Sequence, residues 1–202
     1  VKNTLGDVSR ETIERLRIFE STVLKWTPKI NLVSRLDREV IWDRHILDSV
    51  QFYEAAPDRF SLWLDFGSGG GFPGVVAAIL AHELNPGGAV TMVESDARKC
   101  VFLRTALREA GVKGNVINDR IENLVPQNAD IVSARALADL TALLGLAHKH
   151  LKRGATCIFA KGEKWRKEVA DAKSKWDFEY TADISKLDPN AAILSIKELS
   201  RA

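Results

Sequence analysis

Residues 62–74, L-W-L-D-F-G-S-G-G-G-F-P-G, decide how the rest of the chain is read. Leu62, Trp63, Leu64 and Phe66 form a short apolar run interrupted only by Asp65. Such a run, stopped by glycine, predicts a strand buried on both faces. Gly67, Gly69, Gly70 and Gly71 predict a turn in which backbone lies next to a ligand, because glycine accepts positive φ and leaves the chain approachable. Pro73 suits the first helical position, where a missing N–H costs nothing. A helix over residues 72–82 follows, offering Val75, Val76, Ala78, Ile79 and Leu80 for packing. Strand, turn and helix N-terminus together make a cradle at the carboxyl end of a parallel strand.

Spacing narrows the ligand. A dinucleotide fingerprint requires G-x-G-x-x-G, and Phe72 stands where the third glycine belongs, which argues against an NAD-dependent dehydrogenase. Gly67, Gly69 and Gly71 give G-x-G-x-G instead, which resembles the first motif of S-adenosylmethionine-dependent methyltransferases.

Downstream, strands and helices alternate. Strands are expected at residues 89–93, closing on Glu94, and at 115–118, 130–133 and 155–160. Asp96 caps a helix carrying Val101, Phe102, Leu103, Ala106 and Leu107, which Gly111 ends. Further helices are expected over 137–151 and 164–175, and two closing strands over 178–184 and 192–199 form a hairpin. This order predicts an α/β fold with a doubly wound parallel sheet, and a terminal antiparallel strand would match the seven-stranded, mostly parallel sheet, with helices on both faces, of the Rossmann-like class I methyltransferases it resembles. Upstream, Ile13, Leu16, Phe19, Val23 and Trp26 mark one helix face, with Asp7 or Ser9 as its cap. Pro28 and Asn31 mark a turn, and Asp37 caps a second helix over 37–54. The 202 residues are expected to form one methyltransferase domain: an N-terminal helical extension over 1–60 and an S-adenosylmethionine-binding core over 61–202.

Hydrophobic residues at 46% and charged residues at 28% are those of a soluble globular chain. No apolar run is long enough to span a bilayer and no signal-peptide pattern opens the sequence, so a cytoplasmic location is expected. Cys100 and Cys157 lie far apart and form no C-x-x-C, as in a reducing compartment, and no His/Cys group has zinc-ligand spacing. A net charge of +2 permits a local basic face without requiring one.

Several residues carry candidate chemistry. Glu94, at the end of the second strand, is placed to accept hydrogen bonds from ribose hydroxyls. Asp119, Arg120, Ile121 and Glu122 follow the third strand, where a loop meets adenine through an acid and backbone N–H groups. Ser133, Ala134, Arg135 and Ala136 follow the fourth strand, where the acceptor must meet the methyl group. The Asn/Asp-Pro-Pro-aromatic signature of amino methylation is missing there; Arg135 can bind a phosphate or base edge, or pair with a neighbouring carboxylate. Carbon methylation of pyrimidines needs a nucleophilic cysteine. Cys157 falls mid-strand and Cys100 mid-helix, so both read as small core residues. A ring nitrogen such as guanine N7 fits what is left, since its lone pair needs alignment and no general base. His45 and Asp48 share a helix face and read as a packing hydrogen bond. One basic group comprises Arg98, Lys99, Arg104 and Arg108. Another, at the acceptor edge, comprises Lys149, Lys152, Arg153, Lys161, Lys164, Arg166 and Lys167, a candidate phosphate-binding surface.

Seven stretches in series resemble the GidB family of bacterial small-subunit ribosomal RNA guanine-N7 methyltransferases. They are N31-L-V-S, R44-H-I-L-D-S, L64-D-F-G-S-G-G-G-F-P-G, the run from Glu94 to Arg104, D119-R-I-E, S133-A-R-A-L-A and A160-K-G. The resemblance implies transfer of methyl from S-adenosylmethionine to N7 of one guanosine in 16S rRNA near the decoding centre. Its partner would be 16S rRNA in the small ribosomal subunit or a precursor, with no membrane and no DNA. It places cofactor contacts on Gly67, Phe72, Ile121, Glu122 and Arg135; Ser68 and Gly69 belong to the same turn, and Arg135 is the candidate catalytic residue. Ile121 stands where the family often has alanine, and N31-L-V-S departs mildly from N-L-T. Two alternatives stay open: a methyltransferase of this fold acting on a small molecule or protein, and a non-catalytic nucleotide- or RNA-binding module.

Overall fold

A computed structural model describes residues 4–34 and 40–202. After a short helix α1 (Thr4–Asp7), α2 (Arg10–Ile30) begins at Ser9, whose hydroxyl accepts from the Thr12 N–H, and ends at Asn31 with φ 47°. Pro28 therefore lies inside the last turn of α2, and Asn31 alone makes the exit. A π-helical stretch (Trp42–Ile46) runs into α3 (Leu47–Ala55), where a single regular helix was expected. The expected cap at Asp37 lies outside the described residues.

The core elements are β1 (Leu62–Phe66), α4 (Gly74–Leu84), β2 (Ala89–Glu94), α5 (Ala97–Glu109), β3 (Asn115–Asn118), β4 (Ala129–Arg135), α6 (Leu140–His148), β5 (Leu151–Lys161), α7 (Trp165–Ala172), β6 (Trp176–Ile184) and β7 (Ala192–Arg201). They build one seven-stranded sheet in the order β3-β2-β1-β4-β5-β7-β6. The first five strands are parallel, and β7 is antiparallel to both its neighbours. Strand order reverses about β1, which pairs with β2 on one side and β4 on the other. A sheet of this kind opens a ligand crevice at that switch point, beyond the strand carboxyl ends.

Alternation along each strand sorts the core into two layers. Trp63, Met92, Ile131, Ile158 and Ile193 face the helices α2 to α5, where Leu16, Phe19, Val23, Val75, Val76 and Phe102 join them. Leu64, Phe66, Val93, Val132, Phe159 and Leu194 face α6 and α7. Leu16, Phe19 and Val23 are completely buried. Each buried side chain of that size is worth about 1.5–3 kcal/mol, so α2 is held by packing rather than by intrinsic helicity.

Two boundaries moved, with consequences for the site. The fourth strand continues through Arg135, so Ser133 and Ala134 belong to the sheet and only Ala136 starts the loop, at φ 53°. The helix expected from residue 137 begins at Leu140 because Asp139 caps it, accepting from the Ala142 N–H at 3.0 Å. Residues 136–138 are thereby freed to line the crevice.

Candidate functional site

The glycine turn is built from backbone tethers. The N–H groups of Gly67 and Ser68 both donate to the Val93 carbonyl of β2, at 2.9 and 3.2 Å, and Gly71 N–H donates to Ser68 O at 2.7 Å. Two glycines serve different ends. A Cβ on Gly71 would lie 2.7 Å from Val75 Cγ2 and 2.9 Å from Phe19 Cζ, so that position is required by packing. Gly69 has φ +52°, and a Cβ there would approach nothing closer than Gly67 O at 3.6 Å. Gly69 helps line a cavity of about 440 Å³, together with Gly67, Glu94, Ile121, Glu122 and Leu137, among others.

Glu94 closes one wall of that cavity. Its carboxylate accepts from Gly69 N–H at 2.9 Å and from Asp96 N–H at 2.8 Å, which fixes its direction. A carboxylate offers about four lone-pair sites, so acceptor capacity is left for a ribose diol. Asp96 is the α5 cap, accepting from the Arg98 and Lys99 N–H groups. Those bonds, led by the Arg98 side chain, hold its carboxyl down at about 2. Past the end of the neighbouring strand β3, Asp119 accepts from Arg120 N–H at 2.7 Å and Asn123 at 2.8 Å, shaping the 3-10 turn Ile121–Asn123. Ile121 is buried in that turn, and Glu122 stands exposed beside it.

Beneath the turn lies a buried carboxylate. Asp65 accepts from Ser68 Oγ and from Ser133 Oγ, each at 2.6 Å, and from the Gly74 N–H. Ser133 Oγ in turn accepts from Trp63 Nε1 at 2.7 Å. Burial dominates and pushes the Asp65 carboxyl up to about 6, against the downward pull of these donors. The residue that interrupts the apolar run thus ties the glycine turn on β1 to β4, its register partner.

Arg135 emerges at the end of β4. Its guanidinium donates to Asp48 Oδ2 at 3.2 Å, lies 3.0 Å from His45 Nδ1, and sits 5.1 Å from the Phe72 ring centroid. His45 also packs on Phe72, with centroids 5.1 Å apart. Burial pushes the Asp48 carboxyl up, with Arg135 pulling against it. His45 and Asp48 are thus both partners of Arg135. The π-helical stretch that carries Arg44 and His45 is a local departure of a kind frequent at functional sites.

A second cavity, of about 280 Å³, lies on the far side of Arg135. Its lining includes Arg44, Asp48, Arg135, Lys161 and Asp188. Ala136 lines both cavities. Lys161 stiffens this partition: its buried ammonium donates to Ala138 O at 2.7 Å and pairs with Glu168 at 2.6 Å, and Glu168 accepts from Leu140 N–H at 2.8 Å.

Of the expected site residues, Gly67, Gly69, Glu94, Ile121 and Glu122 line the first cavity. Ser68 and Phe72 do not: Ser68 is turned down to Asp65, and the Phe72 ring is buried against Phe19, His45 and Arg135. Arg135 lines the second cavity. The basic group read at the acceptor edge divides. Lys152 pairs with Asp130 at the amino end of β5, whereas Lys164, Arg166 and Lys167 follow its carboxyl end. Six residue steps of β4, Ala129 to Arg135, oppose Leu151 to Ala160, so the two ends lie roughly 20 Å apart along the sheet. Cys100 and Cys157 are buried and free, and burial pushes both thiols up, so neither is prepared for nucleophilic work. Asp65 was missed as a site residue; the available signal was an acid inside an apolar strand, which demands partners.

Comparison with known proteins follows this geometry. A family model described as GidB, rRNA small subunit methyltransferase G, matches residues 12–190. The chain is 54% identical over 199 residues to the ribosomal RNA small subunit methyltransferase G of Ruegeria pomeroyi, covering 98% of this chain and 97% of that protein. With the protein of the same name from Gluconobacter oxydans it shares 44% identity over 194 residues, 96% of this chain and 97% of the other. Among solved structures, MtNAS in complex with S-adenosylmethionine superposes with a TM-score of 0.61 at 15% identity, over 91% of this chain and 71% of that one. An O-methyltransferase from Bacillus cereus in complex with SAH gives a TM-score of 0.55 at 14% identity, over 95% and 92% of the two chains. At such identities the structures establish the fold alone.

Proposed function

The chain belongs to the GidB family of small-subunit ribosomal RNA methyltransferases, and from that premise we propose that it transfers methyl from S-adenosylmethionine to N7 of one guanosine in 16S rRNA near the decoding centre. The observation that carries this reading is the pair of cavities meeting at Ala136, one over the glycine turn and one beyond Arg135.

The residues of the first cavity suit the donor. The open direction at Gly69 and the adjoining backbone admit close approach of its methionine portion. Glu94 would hold the ribose hydroxyls, and the turn bearing Ile121 and Glu122 would meet the adenine. Phe72 contributes from below, by holding Arg135 and His45 in place. When bound, S-adenosylmethionine supplies a sulfonium methyl that a ring nitrogen takes by direct displacement, so positive charge passes from sulfur to the base.

The chain's own task is then alignment and electrostatics. Guanine N7 carries no proton, so no side chain has to remove one. Arg135 orients the acceptor at the boundary by donating toward O6, beside the reacting nitrogen. A bare guanidinium there would oppose the charge that develops on the imidazole ring. Asp48, bonded to Arg135, offsets it and leaves a nearly neutral wall.

The chain acts as one domain, with residues 1–60 as a helical extension to the core. In support, α2 and α3 share a single apolar cluster with α4 and α5. The partner is 16S rRNA within the small subunit or a precursor, not DNA, and the setting is the cytoplasm. Among the described residues no helix is long and apolar enough to cross a membrane.

Mass spectrometry of rRNA nucleosides from cells with and without the gene tests the proposal. The expected result is loss of one 7-methylguanosine from 16S rRNA; an unchanged nucleoside profile overturns it. Labelled donor incubated with bare 16S rRNA, small subunits and cell extract adds the alternatives: label in protein or small molecules points to a different acceptor, and donor binding without transfer points to a binding module.

A further inference from the structure

Resting on the function proposed above, we propose that the cavity beyond Arg135 takes a single everted guanine, and that Asp188 on the β6–β7 loop identifies it as guanine. A base buried in folded RNA has to leave its stack to meet a methyl donor inside a protein. The second cavity, about 280 Å³, is adjacent to the donor cavity and has the scale of one base rather than of a helix.

Its polarity matches one base in one orientation. Methylation at N7 requires the N7/O6 edge to face the donor cavity, which is the side of Arg135. The adjoining edge of guanine, with N1–H and the 2-amino group, is then left for the rest of the lining, which includes the β6–β7 loop. Guanine presents two adjacent donors there. A carboxylate accepts both, as carboxylates accept donor edges of bases elsewhere. Adenine would present an unprotonated N1 to the same carboxylate and be repelled.

Among the described residues, two carboxylates line the cavity, Asp48 and Asp188. Asp48 is committed to Arg135. Asp188 is exposed and accepts one backbone bond, from Asn190 N–H at 2.9 Å, which leaves acceptor capacity. The loop that carries it is built rather than slack. Ser185 N–H donates to Ala191 O and Ala191 N–H to Asp188 O, both at 3.0 Å. Lys186 is fastened to α3 twice, its N–H on Gln51 Oε1 at 2.9 Å and its ammonium on Glu54 at 2.7 Å. Leu187, 42% exposed and also lining the cavity, offers an apolar surface for the face of the base.

The test uses the full chain and small subunits reconstituted with 16S rRNA that carries guanosine or inosine at the mapped acceptor position. Inosine keeps N7, O6 and N1–H and lacks the 2-amino group. The wild type is expected to prefer guanosine over inosine by at least about fivefold in kcat/KM. Asp188→Asn and Asp188→Ala are expected to lower kcat/KM on guanosine at least about tenfold and to bring the ratio close to one. Asp188→Glu restores part of the preference. Donor affinity by calorimetry stays within about twofold of wild type. Variants that keep both the wild-type rate and the wild-type guanosine preference overturn the proposal. A loss matched by equal loss of donor affinity also overturns it, because the damage then lies outside this cavity. A wild type that methylates no rRNA overturns the function proposed above, and this inference falls with it.

Discussion

The two cavities flanking Ala136 are made differently. The one over β1 and β2 is shaped by backbone: a four-glycine turn tethered to Val93 O, with Glu94 as its main fixed side chain. The one over β4 and β5 is shaped by side chains that arrive from four separate parts of the chain, namely Arg44 and Asp48, Arg135, Lys161, and Asp188. The first is set locally, because backbone geometry follows from glycine and φ. The second suits a ligand particular to this chain, because only side chains read a base edge.

Substituting residues on either side of the partition tests this division. Arg135→Ala is expected to have the largest effect, a fall in kcat of at least about 100-fold, equivalent to roughly 2.7 kcal/mol of transition-state stabilisation. Donor affinity should change little; full turnover would remove Arg135 from the acceptor side. Gly69→Val is expected to act on the other cavity alone. It adds a side chain to the lining of the donor space at an unfavourable φ, and S-adenosylmethionine affinity should weaken at least about tenfold. Calorimetry giving wild-type affinity would break the assignment of that cavity.

Asp48→Asn sharpens the comparison. It leaves the shape at Arg135 and removes the charge that offsets it, so kcat should fall about tenfold with donor affinity unchanged. Equal activity would mean that the wall's neutrality is immaterial. Stability rather than turnover is expected to respond at Asp65, which lies beneath the glycine turn and holds it to β4. Its folded pKa, about 6, lies above its ordinary value of 3.8. The protonated form is therefore favoured by folding. This contribution is fully present below about pH 4 and is lost as pH rises through 6. Relative to Asp65→Asn, the wild type should lose up to about 3 kcal/mol of stability across that window. Denaturant titrations at several pH values check it, and parallel pH profiles would exclude a coupled Asp65.

The sites differ in legibility for the same reason. The glycine turn was readable because its determinants are adjacent: apolar run, glycines, proline and helix occupy residues 62–84 without interruption. Glu94 followed from its place at a strand end. His45 and Asp48 were assigned to a helix-packing bond, since nothing local relates them to a residue almost ninety positions later. The hydrogen bonds to Arg135 exist because β4 runs one residue past Ala134 and a π-helical stretch re-aims the chain near His45. The helix start at 140 was missed because Asp139, a cap, stands among residues that read as helical. The basic residues read as one group divide between the two ends of β5, which their order in the sequence does not reveal.

From its residues alone this chain declares an alternating α/β sheet, a glycine-turn cradle and the GidB signature, since periodicity, turn chemistry and motif spacing act between near neighbours. Tertiary structure decided which groups surround Arg135, how the buried Asp65 joins β1 to β4, and that two cavities meet at Ala136. Those relations depend on strand register and helix docking, which bring together residues whose separation along the chain carries no local signal.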